Sequence, residues 1–173
     1  MVIKQRKQIR LKKYDYSDAG WYFVTICTQN RECLFGKIIV RATRGSPSYI
    51  KLNETGGIVK NIWKSLPNHH SMELDEFVVM PNHIHFIIRL INKGGSRPAP
   101  TLGTVIGLFK SECTKQIRTF INNPQFIVWQ RSYYDHIIRN EKEFCRIRQY
   151  IKDNPMNWEE DRNNLSNQQS NRN

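Results

Sequence analysis

The sequence predicts an α+β fold, an antiparallel sheet of four to five strands with helices packed on one face. Three observations point there. Apolar patterning switches along the 173 residues between a period of two and a period near 3.6. The strand-like segments Leu74–Met80 and His83–Leu90 are separated only by Pro81-Asn82. Parallel strands need a crossover of a dozen residues or more, so a link that short demands antiparallel pairing. Helical and extended segments are interspersed, and several connections are short, which suits helices lying on an antiparallel sheet.

Taken in order, Gly20–Thr28 reads as the first strand, with Phe23, Thr25 and Cys27 alternating against Tyr22, Val24 and Ile26. Cys33–Val40 reads as a second, shorter strand, and Gly45-Ser46-Pro47 is turn chemistry. Asn53–Ser65 has Ile58, Ile62 and Leu66 at helical spacing, followed by a loop over Pro67–His70. The two strands around Pro81-Asn82 come next, then a loop over Asn92–Pro100. Thr101 caps a helix to about Ile121, with Leu102, Val105, Ile106, Phe109, Cys113, Ile117 and Phe120 on its apolar side. Phe126–Trp129 reads as a short strand. Asn140 and Glu143 resemble a capping box, and the helix they open stops near Asp153 because Pro155 disfavours α geometry at Asn154. Residues 1–13 carry six cations and no acid and read as a basic arm, 14–160 as one domain, and 161–173 as a polar, disordered tail.

Charge narrows the function. A net charge of +12 and a pI near 9.8 favour a polyanionic partner, nucleic acid before an anionic membrane surface. No apolar stretch approaches the roughly 20 residues that span a bilayer. No apolar segment follows the basic N-terminus as a secretory signal would require. Cys27, Cys33, Cys113 and Cys145 lack CxxC spacing and read as buried free thiols, which points to the cytoplasm.

Two short patterns carry chemistry. His83 and His85 are two apart on an expected strand, so both project from one face with Ile87 and Arg89, while Ile84, Phe86, Ile88 and Leu90 face a core. Two imidazoles side by side on a rigid strand make half a divalent-metal site. In the last helix Phe144, Ile147 and Ile151 form an apolar stripe. Tyr150 and Asn154, four apart, share a side just off it. A phenol there is packed at its base and open at its tip.

Three segments resemble the single-tyrosine HUH transposases, the IS200-like family. Met80-Pro81-Asn82-His83-Ile84-His85-Phe86 is similar to their His-hydrophobic-His motif. Residues 129–141, from Trp129 to Glu141, resemble the segment before the catalytic helix, and Gln149-Tyr150-Ile151-Lys152-Asp153-Asn154-Pro155 resembles that helix. The last two are most similar to the REP-associated tyrosine transposase branch. The resemblance spans roughly residues 8–158. It implies a ferredoxin-like or RRM-like fold whose histidines bind a divalent metal, Mg²⁺ or Mn²⁺. It also implies a tyrosine that attacks single-stranded DNA near a hairpin and leaves a 5′-phosphotyrosine and a free 3′-hydroxyl. Carried over, His83 and His85 are ligands, Tyr150 is the nucleophile and Asn154 stands where the third ligand belongs.

Arg97, Lys110, Arg131, His136, Arg139 and Arg146 are the expected DNA contacts, with Arg146 also a candidate to favour the phenolate. Trp21, Tyr22 and Trp158 are candidate base-stacking residues. The resemblance leaves open a monomer or a homodimer, with Tyr150 acting in cis or in trans. A non-catalytic nucleic-acid-binding regulator would need the same fold and charge.

Overall fold

The computed structural model describes residues 19–39, 48–68, 72–91, 100–165 and 167. The basic arm, Arg97 and the pair His69-His70 lie outside the described residues. The elements run β1 (Gly20–Cys27), β2 (Gly36–Ile39), β3 (Tyr49–Leu52), α1 (Glu54–Ser65), β4 (Met72–Val79) and β5 (His83–Leu90). There follow α2 (Leu102–Phe120), β6 (Tyr134–Ile138) and α3 (Glu141–Asp153). Four strands form an antiparallel sheet in the order β4-β5-β1-β6, and β2 and β3 form a separate two-stranded sheet. The α+β antiparallel fold is therefore as expected. No helix among the described residues is long and apolar enough to cross a membrane.

The caps expected at Thr101 and Asn140 form, and Asn53, read as the first residue of its helix, is a third. Asn53, Thr101 and Asn140 each accept a hydrogen bond from the backbone N–H three residues on, opening α1, α2 and α3. At α3 the box is altered, since the Glu143 carboxylate takes the Arg139 N–H at 3.0 Å, one residue before the cap. Asn154 ends α3 ahead of Pro155.

Strand alternation divides the core. Tyr22, Val24, Ile26, Ile84, Phe86, Ile88 and Leu90 face one side, where Trp63 of α1 and Phe109 of α2 pack over them. Trp63 lies 4.9 Å from Phe77 and 4.4 Å from Phe86 between ring centres. Each such buried apolar side chain stabilises the fold by about 1.5–3 kcal/mol. Phe23, Ile87 and Ile138 face the other side and meet Phe144, Ile147 and Ile151 of α3. So α1 and α2 share one face, as expected, whereas α3 crosses the opposite one. Its stripe matches the apolar residues that alternate with the main core.

Other departures have local causes. β3 and β6 were not anticipated as strands. Asp135 and His136 interrupt the apolar alternation of β6, an edge strand that pairs with β1 alone. Phe126–Trp129 forms only a single bridge, Thr28 to Trp129, although backbone bonds from Gln29 to Val128 and from Gln130 to Cys27 run it beside the end of β1. Tyr22 is fully buried in the core and is no base-stacking surface. Cys113 is buried, but Cys27 is half-buried and Cys33 and Cys145 are exposed. A thiol's position thus follows its turn of helix or loop more than its polarity. The segment read as a loose tail from 161 is packed at its start, with Asp161 and Asn163 buried.

Two adjacent glycines of α1 give a paired test. A Cβ on Gly56 would sit 2.2 Å from the Phe35 carbonyl oxygen, whereas one on Gly57 meets nothing within 4 Å. Gly57→Ala should therefore stabilise by up to about 1 kcal/mol, the ordinary helix preference for alanine. Gly56→Ala should destabilise by about 1–3 kcal/mol, because overpacking against backbone outweighs that preference. Urea unfolding of both variants measures the opposite signs.

Candidate active site

The pairing of β5 with β1 sets the site. Thr25 lies opposite His85 and Cys27 opposite His83. The Thr25 hydroxyl is 2.8 Å from His85 Nδ1, so strand register itself supplies the group that orients this ring. Phe23, two residues earlier on β1, stacks against the same imidazole at 5.4 Å.

The turn before β5 orients the other ring. Asn82, fully buried, donates from Nδ2 to the carbonyls of Arg31 at 2.9 Å and Asn163 at 2.8 Å. Its Oδ1 is thereby the acceptor facing His83 Nδ1 at 2.8 Å. His83 must then carry its proton on Nδ1, which leaves Nε2 with a lone pair. The two Nε2 atoms of His83 and His85 are 3.0 Å apart. With a proton on His85 Nε2 the two rings share a hydrogen bond; with both protons on Nδ1 two lone pairs would face each other and a cation would relieve their repulsion.

From the same chain, α3 brings Tyr150 across this face. Its hydroxyl is 3.3 Å from His85 Nε2, and its ring stands edge-on to Phe23 and His85. Tyr150 is 44% exposed as a residue, whereas the histidines beside it are at 0% and 1%. Two ion pairs join α3 to β4. Arg148 pairs with Asp75 through two contacts, and Lys152 Nζ lies 3.5 Å from Glu76.

Burial governs the electrostatics. It lowers His83 to about 3, helped by the cations Arg31 and Arg162. It also holds His85 well below its ordinary value, with His83 and Arg162 adding to the effect. Both rings are neutral at physiological pH and need shed no proton to bind a metal. Burial raises the Tyr150 phenol and the Asp161 carboxylate raises it further. A hydrogen bond from the Asn154 side chain and the charge of Arg162 oppose them.

The donor set fits a divalent ion. Neighbouring ligands of an octahedral ion at about 2.1 Å stand about 3 Å apart, and the two imidazole nitrogens meet that spacing. The buried Oδ1 of Asn154 has no hydrogen-bond partner, an arrangement that costs roughly 1–3 kcal/mol unless a cation satisfies it. His83, His85 and Asp161 also offer ligand atoms all within 4.8 Å of one another, each residue being buried. Asp161 escaped the sequence reading because it falls in a polar run with no helical or strand period. Trp158, in a short 3₁₀ turn ahead of it, stacks on His83 at 6.1 Å.

Residues 20–154 match the family described as "Transposase IS200 like". The chain belongs to the IS200-like transposase family. A Haemophilus influenzae protein named only as uncharacterized is 40% identical to the transposase, covering 92% of this chain and 93% of its own length. A second Haemophilus influenzae protein, provisionally named a REP-associated tyrosine transposase, is 26% identical over 82% of this chain and 73% of its own. Among solved structures, a REP-associated tyrosine transposase bound to a REP hairpin superposes with a TM-score of 0.52 at 20% identity. It covers 84% of this chain and 72% of that one. A provisionally named transposase from Deinococcus radiodurans gives 0.50 at 16% identity, over 83% and 95%.

The other candidate residues of the transposase fall in two places. His136, Arg139 and Arg146 gather around Glu143 at the start of α3. His136 Nε2 is 2.8 Å from Glu143 Oε1, the Arg139 N–H is bound to the same carboxylate, and Arg146 stands 4.0 Å away. Arg146 is 75% exposed on its side chain and turned toward Glu143. The cation acting on Tyr150 is Arg162 instead. Lys110 and Arg131 lie across the sheet in a groove of about 1040 Å³ that also includes Lys115 and Arg118. There Lys110 donates to the carbonyls of Gln130 at 2.6 Å and Arg131 at 3.2 Å, tying the loop to α2.

Partial burial pushes the Asp75 carboxyl up, but the Arg148 hydrogen bonds and neighbouring charges outweigh it and hold the group below its ordinary range. That pairing stabilises the fold above the ordinary carboxylate pKa and ceases to do so as pH falls through the lowered value. Asp75→Asn should therefore lower the urea midpoint at pH 7. The difference from the parent chain should shrink as pH falls below the ordinary carboxylate range, as paired titrations of unfolding will register.

Proposed function

We propose that this transposase nicks and rejoins single-stranded DNA through a covalent tyrosine intermediate. In this reading Tyr150 is the nucleophile, and His83, His85 and Asn154 would hold a divalent cation, Mg²⁺ or Mn²⁺. One observation carries the reading. Within a single chain, His83 Nε2 and His85 Nε2 are 3.0 Å apart and the Tyr150 hydroxyl is 3.3 Å from the latter. A phenol so close to the donor set can meet a phosphate held there without a large rearrangement.

When bound, the cation would neutralise charge on the phosphate oxygens and favour the phenolate. The chain's own residues account for the rest. Tyr150 Oη releases its proton and attacks phosphorus. The new Oη–P bond forms as the bond from phosphorus to the 3′ oxygen breaks. The strand on the 3′ side of the break stays on the tyrosine through its 5′ phosphate, and the strand on the 5′ side leaves as a 3′-hydroxyl, its oxygen taking up a proton in balance with the one the phenol gives up. Attack by a 3′-hydroxyl runs the step backward and rejoins DNA, with no nucleotide cofactor consumed. Arg162 favours the anionic phenol, and Asn154 hydrogen-bonds it. The apolar contacts of Phe23 with Tyr150 and His85 keep both rings in place.

Single-stranded DNA carrying a hairpin is the substrate we infer. The net charge of +12 suits a phosphate backbone. A solved transposase of the same fold is described as bound to a REP hairpin. Arg97, Lys110, Arg131, His136, Arg139 and Arg146 are the residues we assign to backbone contacts. Trp158 borders a groove of about 520 Å³ with Pro81, Pro155 and Lys37, where we place a flanking nucleotide.

The test is cleavage of labelled single-stranded hairpin oligonucleotides with Mg²⁺ or Mn²⁺. The wild type should yield a denaturation-resistant protein–DNA adduct. Tyr150→Phe should lose cleavage by roughly a thousandfold or more while still binding DNA. Equal inertness of both proteins across candidate hairpins, with DNA binding retained, would instead identify a regulator. If one chain supplies all three groups, as this reading has it, a mixture of His83→Ala and Tyr150→Phe proteins should stay inactive. Recovery of cleavage in the mixture would show that the tyrosine acts in trans.

A further inference from the structure

We propose that Asp161 is a ligand of the divalent cation alongside His83 and His85, so that the segment after the tyrosine helix is part of the metal centre. The inference rests on the reading above that a cation occupies this site. It adds a ligand seven residues beyond Asn154, from a segment whose composition suggests only a polar tail.

The geometry points to this role. Asp161 Oδ2 lies 3.7 Å from His83 Nε2, too long for a hydrogen bond and within 1 Å of the spacing between neighbouring ligands. The carboxylate is buried. Its other oxygen accepts the Asn163 N–H at 2.6 Å, an Asx turn that aims Oδ2 at the histidines. The turn is itself fixed from outside. Arg31 Nη1 donates to the Arg162 carbonyl at 3.1 Å, and Asn82, which orients His83, holds the Asn163 carbonyl. One amide thus positions both a histidine ligand and the loop that presents the carboxylate. A second observation is independent of the acid. The buried Asn154 Oδ1 has no hydrogen-bond partner, and the same amide group hydrogen-bonds Tyr150, which borders His85. An Asx turn alone needs one oxygen, and asparagine would serve it equally. A carboxylate supplies a second, anionic oxygen, the donor that hard ions such as Mg²⁺ and Mn²⁺ favour.

Asp161→Asn separates the two roles. With its carbonyl in the Asx turn, the amide would turn an NH₂ group toward His83, and an NH₂ group cannot ligate a metal. Mn²⁺ binding is measured by calorimetry and by the loss of free-ion paramagnetic resonance, in the Tyr150→Phe protein without DNA. Adding Asp161→Asn should weaken Mn²⁺ affinity about tenfold or more, with the metal-free melting temperature little changed. Equal affinity would overturn the proposal while leaving the histidine site standing. Absence of Mn²⁺ binding in the parent chain itself would overturn both. Should the asparagine variant fail to fold, Asp161→Cys titrated with Co²⁺ decides. A thiolate-to-cobalt charge-transfer band absent from the parent chain is expected, and its failure to appear would refute ligation by residue 161.

Discussion

Everything at the tyrosine site depends on the register in which β5 pairs with β1. Side chains alternate along a strand, so a slip of one residue would exchange the two faces of β5. His83 and His85 would then be driven into the core around Trp63, and Ile84 and Phe86 would face the tyrosine helix. The register is held by the apolar partners on the core side, Val24 opposite Phe86 and Tyr22 opposite Ile88. It is held on the site side by the Thr25–His85 hydrogen bond. The residues that stabilise the sheet are therefore the ones that aim the imidazoles. A buried polar face is tolerated here because both Nδ1 atoms are matched, one by a hydroxyl of β1 and one by the Asn82 amide.

The second requirement is that α3 stop at one height over that face. Its apolar stripe fixes which side is buried, but a stripe alone permits sliding. The pairs Arg148–Asp75 and Lys152–Glu76 tie successive turns of α3 to β4, and the Asn140 cap with Glu143 fixes its start. Tyr150 sits two residues past Arg148, on the flank between the stripe and solvent. That is why one residue is at once packed against Phe23, set beside His85 and partly exposed. The tension is electrostatic. The same burial that keeps the imidazoles neutral also raises the phenol, and in the proposed reaction a bound cation would offset that rise.

Much of this was legible in the sequence because it follows from periodicity. The faces of β1 and β5, the turn at Pro81-Asn82, the helix caps at Thr101 and Asn140, and the family resemblance around His83 and Tyr150 are all local patterns. What was illegible depends on tertiary contacts. β6 is polar enough to hide among loops and is a strand only because β1 offers it an edge. α3 shows a stripe without saying which face of the sheet receives it. Asp161 carries no periodic signal, and the loop that presents it is held by Asn82 and Arg31, more than 70 residues earlier. Arg146 looked suited to the phenol by helical spacing, yet Glu143 on the same helix claims it, and Arg162 stands nearer in effect.

The central claim is that one chain sets Tyr150, and no other of its seven tyrosines, against the paired histidines as a nucleophile. Mass spectrometry of the adduct trapped on single-stranded hairpin DNA tests it most directly. The account predicts nucleotide mass on the tryptic peptide 149–152, which contains Tyr150. Nucleotide mass on the peptide carrying Tyr133 and Tyr134, or cleavage with no protein-linked nucleotide at all, would contradict it.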